Sequence, residues 1–228
     1  MRRAAALLAV ALLAGCGGGR EEGTAALWIT RDRGGEVLFE GKVSAGLTVM
    51  QALRREAEVE TRYGGRFVQS IDGLEGSLRE RRDWFFFVNG VAADHGAAEY
   101  RLADGDVAWW DYRSWEGDDE VRIVVGAFPE PFLRGYGGKT RPAHVRYERP
   151  SQAAAARAIG EVIRASSVAL AGTPVPGSAN TFVIRTGPRS FRARLESPRG
   201  PYTFVLAGDA GRLARDPELA RFRFEGLP

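Results

Sequence analysis

The chain has 228 residues, of which 44% are hydrophobic and 27% charged, and a formal net charge of +3. Of its 32 basic residues only Lys42 and Lys139 are lysines, and setting aside Arg2 and Arg3 of the leader described next leaves +1. A basic pI that reflects arginine outnumbering lysine is no basic patch and gives nucleic-acid binding no footing; a single cysteine excludes an intrachain disulfide and a thiolate metal cluster.

The first fifteen residues fall into three parts. Arg2 and Arg3 give a positive start, Ala4 to Leu13 is apolar, and Leu13-Ala14-Gly15 leads into Cys16. About ten apolar residues are too few to span a bilayer, which takes roughly twenty, so residues 1–15 read as a cleaved secretion signal. Leu13-Ala14-Gly15-Cys16 resembles the bacterial lipoprotein box, in which the cysteine thiol is acylated after cleavage. Two or more chains anchor durably where one does not, so the expected location is the extracytoplasmic face of the cell membrane, with Cys16 carrying the lipid. Residues 16–24, which include Gly17-Gly18-Gly19-Arg20-Glu21-Glu22-Gly23, form a polar tether that cannot bury apolar surface.

From residue 25 to 116 the elements follow one another closely. Leu27 to Thr30 and Glu36 to Val43 read as strands joined by the Arg33-Gly34-Gly35 turn. Thr48 and Gln51 have the spacing of a capping box, and Val49, Ala52, Leu53 and Ala57 follow at helical spacing, with Gly64-Gly65 expected to end the helix. Phe67 to Ile71, Trp84 to Val88 and Val107 to Tyr112 are strand candidates, and Asn89-Gly90 is a tight-turn signal because both positions need positive φ. This order is that of a β-grasp fold: one helix on a mixed sheet.

Four segments carry a more specific likeness: Thr48 to Leu53 (TVMQAL), Phe67 to Leu74 (FVQSIDGL), Trp84 to Gly90 (WFFFVNG) and Tyr100 to Trp109 (YRLADGDVAW). Together they resemble the β-grasp domain family DUF4430, which is similar to the C-terminal domain of the transcobalamin and intrinsic-factor family. In that family the domain closes over a cobalamin bound on a separate helical barrel, and bacterial relatives look like surface lipoproteins that capture such ligands. The resemblance implies a bound small molecule, with cobalamin or a related corrinoid as the ligand and no catalytic cofactor. No helical barrel is read in this sequence, a departure from that family's pattern, so full enclosure of a corrinoid is not expected.

Beyond the acidic stretch Glu116-Gly117-Asp118-Asp119-Glu120, residues 120–228 read as a second, small α/β unit of no recognised family. Val121 to Val125 is expected as a strand, 127–142 as a loop rich in Gly, Pro and aromatics, His144 to Tyr147 as a strand, and Ser151 to about Leu170 as a helix. Strands at Thr181 to Arg185, Phe191 to Leu195 and Tyr202 to Leu206, a short helix near Asp209 to Ala214 and an end strand at Phe222 to Phe224 complete it. The fold class expected overall is α+β.

Catalysis has little support. No Gly-x-Ser-x-Gly nucleophile segment occurs, Cys16 is consumed by lipid, and the two histidines, His95 and His144, lie about fifty residues apart without the spacing of a zinc motif. Gly135-Tyr136-Gly137-Gly138-Lys139-Thr140 ends like a phosphate loop but lacks its spacing. The chain is therefore read as a non-enzyme.

Binding is better founded. Successive strand residues face opposite sides, so Trp84, Phe86 and Val88 point one way and Phe85 and Phe87 the other, with Trp109 and Trp110 split likewise. One helix covers one face. The other is covered either by the C-terminal unit or by a ligand or partner, and a ligand in a cleft between the two units satisfies both. The candidate ligand-binding residues are Trp84, Phe86, Trp109, Trp110 and Tyr112 of the sheet, with Phe128, Phe132 and Tyr136 of the aromatic loop. A further feature is the alternation of Arg192 and Arg194, and of Arg221 and Arg223, with apolar residues: a solvated face or a dock for anionic groups. The reading is a lipoprotein that binds a small ligand and presents it to a membrane transporter; the alternative is an envelope interaction module using the same aromatic face.

Overall fold

The computed structural model describes residues 23–116, 121–197 and 200–228. The secretion signal, Cys16, most of the tether and residues 117–120 of the acidic stretch lie outside the described residues.

Strands β1 (Thr24–Arg31) and β2 (Glu36–Ser44) form an antiparallel hairpin, followed by α1 (Val49–Glu56). The capping box is present: the Gln51 amide donates to Thr48 Oγ1 at 3.1 Å and the Thr48 amide to Gln51 Oε1 at 2.8 Å. Val49, Met50, Ala52 and Leu53 are buried. The helix stops at Glu56, well before Gly64-Gly65. Val59-Glu60-Thr61-Arg62 alternates and is rich in β-branched residues, and it forms β3 (Val59–Arg62), paired with β4 (Phe67–Ile71). The two glycines, both at positive φ, sit between these strands.

With β5 (Leu74–Glu75), these make a separate three-stranded sheet, so Phe67 to Ile71 is not part of the main sheet as expected. The main sheet takes β6 (Arg82–Val88), the short β7 (Val91–Ala92) and β8 (Val107–Ser114), in the order β2-β1-β8-β6-β7. Its central pair, β1 and β8, is parallel and sets Trp28 beside Trp109; every other pairing in it is antiparallel. The class is α+β.

The C-terminal sheet has the order β10 (Ser167–Leu170), β9 (Ala143–Tyr147), β11 (Asn180–Arg185), β13 (Tyr202–Ala207), β12 (Ser190–Leu195). A single-turn helix α2 (Glu130–Leu133) leads to β9, α3 (Ala153–Val162) and β10. Then come β11, β12, β13 and α4 (Ala210–Arg215). The expected helix to Leu170 is thus divided: Arg164 adopts positive φ, and Ser167-Val168-Ala169-Leu170 pairs in parallel with β9. Gly160 permits the return, since a Cβ there would press on Val168.

Two segments expected as strands are not strands. Of Val121 to Val125, Ile123 alone makes a bridge, to Val91. Phe222 to Phe224 forms no ladder but spreads over the main sheet: with residues 121–127 it packs on Trp28, Phe87 and Trp109, the face away from α1. Phe222 lies 4.9 Å from Trp28 and Phe224 5.4 Å from Trp109, ring centre to ring centre. Arg221, paired with Glu40 of β2 at 2.6 Å, ties the tail to the sheet. The chain's own C-terminal half therefore covers the second face.

Candidate functional site

The site is built outward from the β6–β7 turn. Asn89 and Gly90 both take positive φ, 50° and 77°, as the two-residue turn requires. The Asn89 side chain is buried and fully used. Its Oδ1 accepts from the Val107 amide at 2.8 Å, and its Nδ2 donates to Asp106 Oδ1 at 2.8 Å and to the Gly135 carbonyl at 2.9 Å. Asp106 Oδ2 accepts from the Ala103 amide at 2.9 Å. The Asn-Gly and Gly-Asp-Val segments thus lock together and hold the loop that follows α2. Arg134 reinforces this: its Nε donates to the Asp104 carbonyl at 3.1 Å, while a second nitrogen pairs with Glu130.

That loop turns back at Tyr136-Gly137-Gly138-Lys139. Gly137 and Gly138 have φ of 62° and 70°, and Tyr136 bridges Lys139. The turn stands over a cleft of about 650 Å³ between the two sheets. The 91–106 segment of the first sheet forms one wall, and Asn180, Leu195 and Tyr202 of the second form the other.

Tyr100 and Tyr136 give the cleft an aromatic side, with ring centres 5.2 Å apart. Both hydroxyls brace loops: Tyr100 accepts from the Gly137 amide at 2.9 Å and Tyr136 from the Asp94 amide at 3.1 Å. Burial pushes the Tyr100 phenol up to about 12, helped by the Asp106 charge and opposed by the Gly137 amide. Burial, with the Asp94 side chain adding to it, raises Tyr136 as well. Both phenols therefore stay neutral at ordinary pH.

The rim is polar. His95 Nδ1 lies 2.6 Å from Asp94 Oδ1, and the His95 ring stands 6.4 Å from Tyr136. Arg101 donates to the Gly46 carbonyl, and Arg141 donates to the Ser178 carbonyl at 3.2 Å. Tyr202 closes the deep side, its hydroxyl donating to the Pro131 carbonyl and its amide to Asn180 Oδ1 at 3.2 Å. Burial raises its phenol also. Among the described residues no three His, Cys, Asp or Glu side chains stand together to hold a metal ion.

The eight residues nominated from the sequence do not share one surface. Trp84 and Tyr112 (5.2 Å) and Phe86 and Trp110 (4.7 Å) pack on the α1 side of the sheet. Trp109 has no exposed surface and lies under Phe224 on the other side. Phe128 and Phe132 are core of the C-terminal sheet, packed with Phe182, Phe191 and Phe204. Of the eight, Tyr136 alone lines the cleft. Large rings in sequence marked the cores, which need area; the site uses rings whose hydroxyls need partners. Tyr100 and Tyr202 were missed, and Lys139 was weighed only as the end of a phosphate loop and set aside, although the Gly-Gly turn between Tyr136 and Lys139 was a usable signal.

Three of the four arginines of the alternating faces have carboxylate partners in the same chain: Arg192 pairs with Glu225 at 3.0 Å, Arg194 with Glu196 at 2.9 Å and Arg221 with Glu40 at 2.6 Å.

Residues 46–114 match the family model described as "Domain of unknown function (DUF4430)". The match takes in α1 to β8 and leaves out the β1–β2 hairpin. Among solved structures, haptocorrin in complex with Cbi is similar at 16% identity and a TM-score of 0.34, over 41% of this chain and 26% of that one. The likeness therefore spans about a quarter of the haptocorrin chain. A "putative metal binding protein from Ruminococcus gnavus" is similar at 13% identity and a TM-score of 0.32, over 41% of this chain and 98% of that one. No curated protein matches the chain.

Proposed function

We propose that this chain is a lipid-anchored, extracytoplasmic binding protein that holds a small molecule, without turning it over, in the cleft between its two sheets. The observation that carries the reading is the cleft itself. Its volume of about 650 Å³ falls within the roughly 300–1,000 Å³ usual for small-molecule sites, which also favour the seam between packed units. Its aromatic side is rigid before any ligand arrives, because the Tyr100 and Tyr136 hydroxyls are already engaged. Preorganisation of this kind lowers the ordering cost of binding.

A corrinoid is the ligand class that the DUF4430 resemblance suggests, held at an open cleft and not enclosed. Cys16, through its lipid, would keep the protein at the membrane, where a transporter receives the ligand. The aromatic sheet face is not the docking surface in this reading, since Phe222, Phe224 and residues 121–127 occupy it.

Calorimetric titration of the full chain in detergent with cobalamin and with cobinamide tests the proposal. Saturable binding of either, weakened at least tenfold by Tyr136→Leu and untouched by Phe85→Leu, is expected. Binding that ignores Tyr136, or none by any small molecule in a broader panel, would set the cleft aside. Globomycin-sensitive processing and loss of membrane association in Cys16→Ser test the anchor separately.

A further inference from the structure

The Tyr136-Gly137-Gly138-Lys139 turn has a chemistry that a neutral ligand would leave unused. We infer that it reads a ligand combining a flat ring with an anionic group, the ring lying on Tyr136 and the negative charge meeting Lys139. The inference rests on the cleft being the binding site and names the class of molecule that it takes.

Geometry comes first. Tyr136 and Lys139 face each other across a two-residue turn, with the Lys139 amide donating to the Tyr136 carbonyl at 3.2 Å. Residues opposed in this way project to one side, their Cβ atoms about 5 Å apart. Both line the cleft. Ring and ammonium are therefore presented as a pair. The turn is held from both sides: Asn89 grips the Gly135 carbonyl and Tyr100 receives the Gly137 amide. Gly135 itself admits no side chain, since a Cβ would overlap the Lys139 carbonyl oxygen.

The charge that matters is local to the turn. Among the acids that line the cleft, Asp94 is set against His95, and Asp106 is tied by Asn89 and the Ala103 amide. With Glu99 these make three carboxylates, against the three cations Arg101, Lys139 and Arg141, so the lining carries no net excess and the preference for an anion is local to Lys139. Arg101 and Arg141 each donate to a backbone carbonyl. Among the described residues the Lys139 ammonium has no carboxylate partner, which leaves it to meet the ligand. A flat ring suits Tyr136, whose ring centre stands 5.2 Å from that of Tyr100 and 6.4 Å from that of His95 in one aromatic group.

The test compares ligands that share a ring and differ in charge. The full chain in detergent is titrated with flavin mononucleotide and with riboflavin, followed by flavin anisotropy, and with adenosine monophosphate and adenosine by calorimetry. The anionic member of each pair should bind about tenfold more tightly. Lys139→Met should remove about three- to fivefold of that gap, the range of an exposed charge pair, and leave riboflavin unchanged. Tyr136→Leu should weaken both members. Equal affinity within both pairs, an unchanged gap in Lys139→Met, or no binding of any of the four overturns the inference. Cobalamin or cobinamide binding in the same preparation separates the outcomes: if a corrinoid binds through Tyr136 while the charge effect is missing, the cleft stands and only the anion is lost; if nothing binds, both fail.

Discussion

Asn89 Nδ2 donates to Asp106 Oδ1 at 2.8 Å, and through that contact two turns distant in sequence become one structural unit. The same amide group reaches Gly135 at 2.9 Å, so the unit also fixes the position of the cleft turn. Removing the side chain strands the Val107 amide and the Gly135 carbonyl in a buried setting. Asn89→Gly keeps the positive φ free of strain and isolates this loss. Urea unfolding should show a destabilisation of about 2–4 kcal/mol. Asn89→Asp adds a like charge beside Asp106, so its deficit should be larger at pH 7 than at pH 4.5, where one of the two carboxyls can take a proton. A deficit in Asn89→Asp that does not change with pH would mean the two groups do not meet.

The tail makes a second, independent anchorage. Gly34 stands at φ 77°, and a Cβ there would overlap the Phe222 carbonyl oxygen. Gly34→Ala should therefore push the tail away from Trp28 and Trp109, and Phe224→Ala should uncover Trp109 without backbone strain. We expect a loss of about 1–3 kcal/mol for Phe224→Ala and more for Gly34→Ala. Tryptophan emission should shift to the red in both. An unshifted spectrum in Gly34→Ala would show that the tail does not lie where described.

Much of the main sheet was legible because local signals coincided there. Thr48 and Gln51 cap a helix whose buried stripe is at helical spacing, and Asn89-Gly90 needs no tertiary help to turn. The errors arose where tertiary pairing decided. Ser167 to Leu170 follows a helical run, yet β9 offers it a free edge, and it becomes a strand. Phe222 to Phe224 alternates like a strand, but its rings find the Trp28 and Trp109 face before any ladder partner. The cleft was the least legible part. It lies between segments some forty to a hundred residues apart, and its aromatic side is made of tyrosines that composition does not distinguish from core. Tyr100 lay in plain view in a recognised segment, and only the Gly137 amide on its hydroxyl shows its role.

The cleft turn can be probed by backbone conformation alone. Gly137 and Gly138 would meet nothing with an added Cβ, so space is not the constraint; their positive φ is. Gly138→Asn should be tolerated, since Asn visits this region, whereas Gly138→Val should cost about 1–2 kcal/mol locally. The valine variant should lose ligand affinity with little change in global unfolding, because the turn would move Tyr136 and Lys139 out of register. Amide exchange across 135–140 would report the loosening. In wild type, affinity for a neutral ligand should stay flat from pH 7 to about 9.5, because burial keeps the Tyr100 and Tyr136 phenols protonated there.

The β1–β2 turn carries a pH dependence whose sign is fixed by burial. Asp111 is fully buried, and its carboxylate accepts from Thr30 Oγ1 at 2.6 Å, the Gly34 amide at 3.0 Å and the Arg33 amide at 3.2 Å. Desolvation is the largest influence and raises its pKa above the ordinary 3.8; the Thr30 and Gly34 hydrogen bonds, the Arg113 charge and the Arg33 amide pull the other way without cancelling it. An acid raised on folding binds its proton more readily in the native state. Its contribution to stability is therefore fully present below the unfolded value and is lost as pH rises through the folded one. Stability measured by urea unfolding should accordingly gain from Asp111 as pH falls from neutrality toward 4. Asp111→Asn cannot titrate, so the difference in unfolding free energy between wild type and this variant should move in favour of wild type across that range. A difference that moves the other way would mean that the three hydrogen bonds outweigh burial, and that the turn is held by a carboxylate more stable inside the protein than in water.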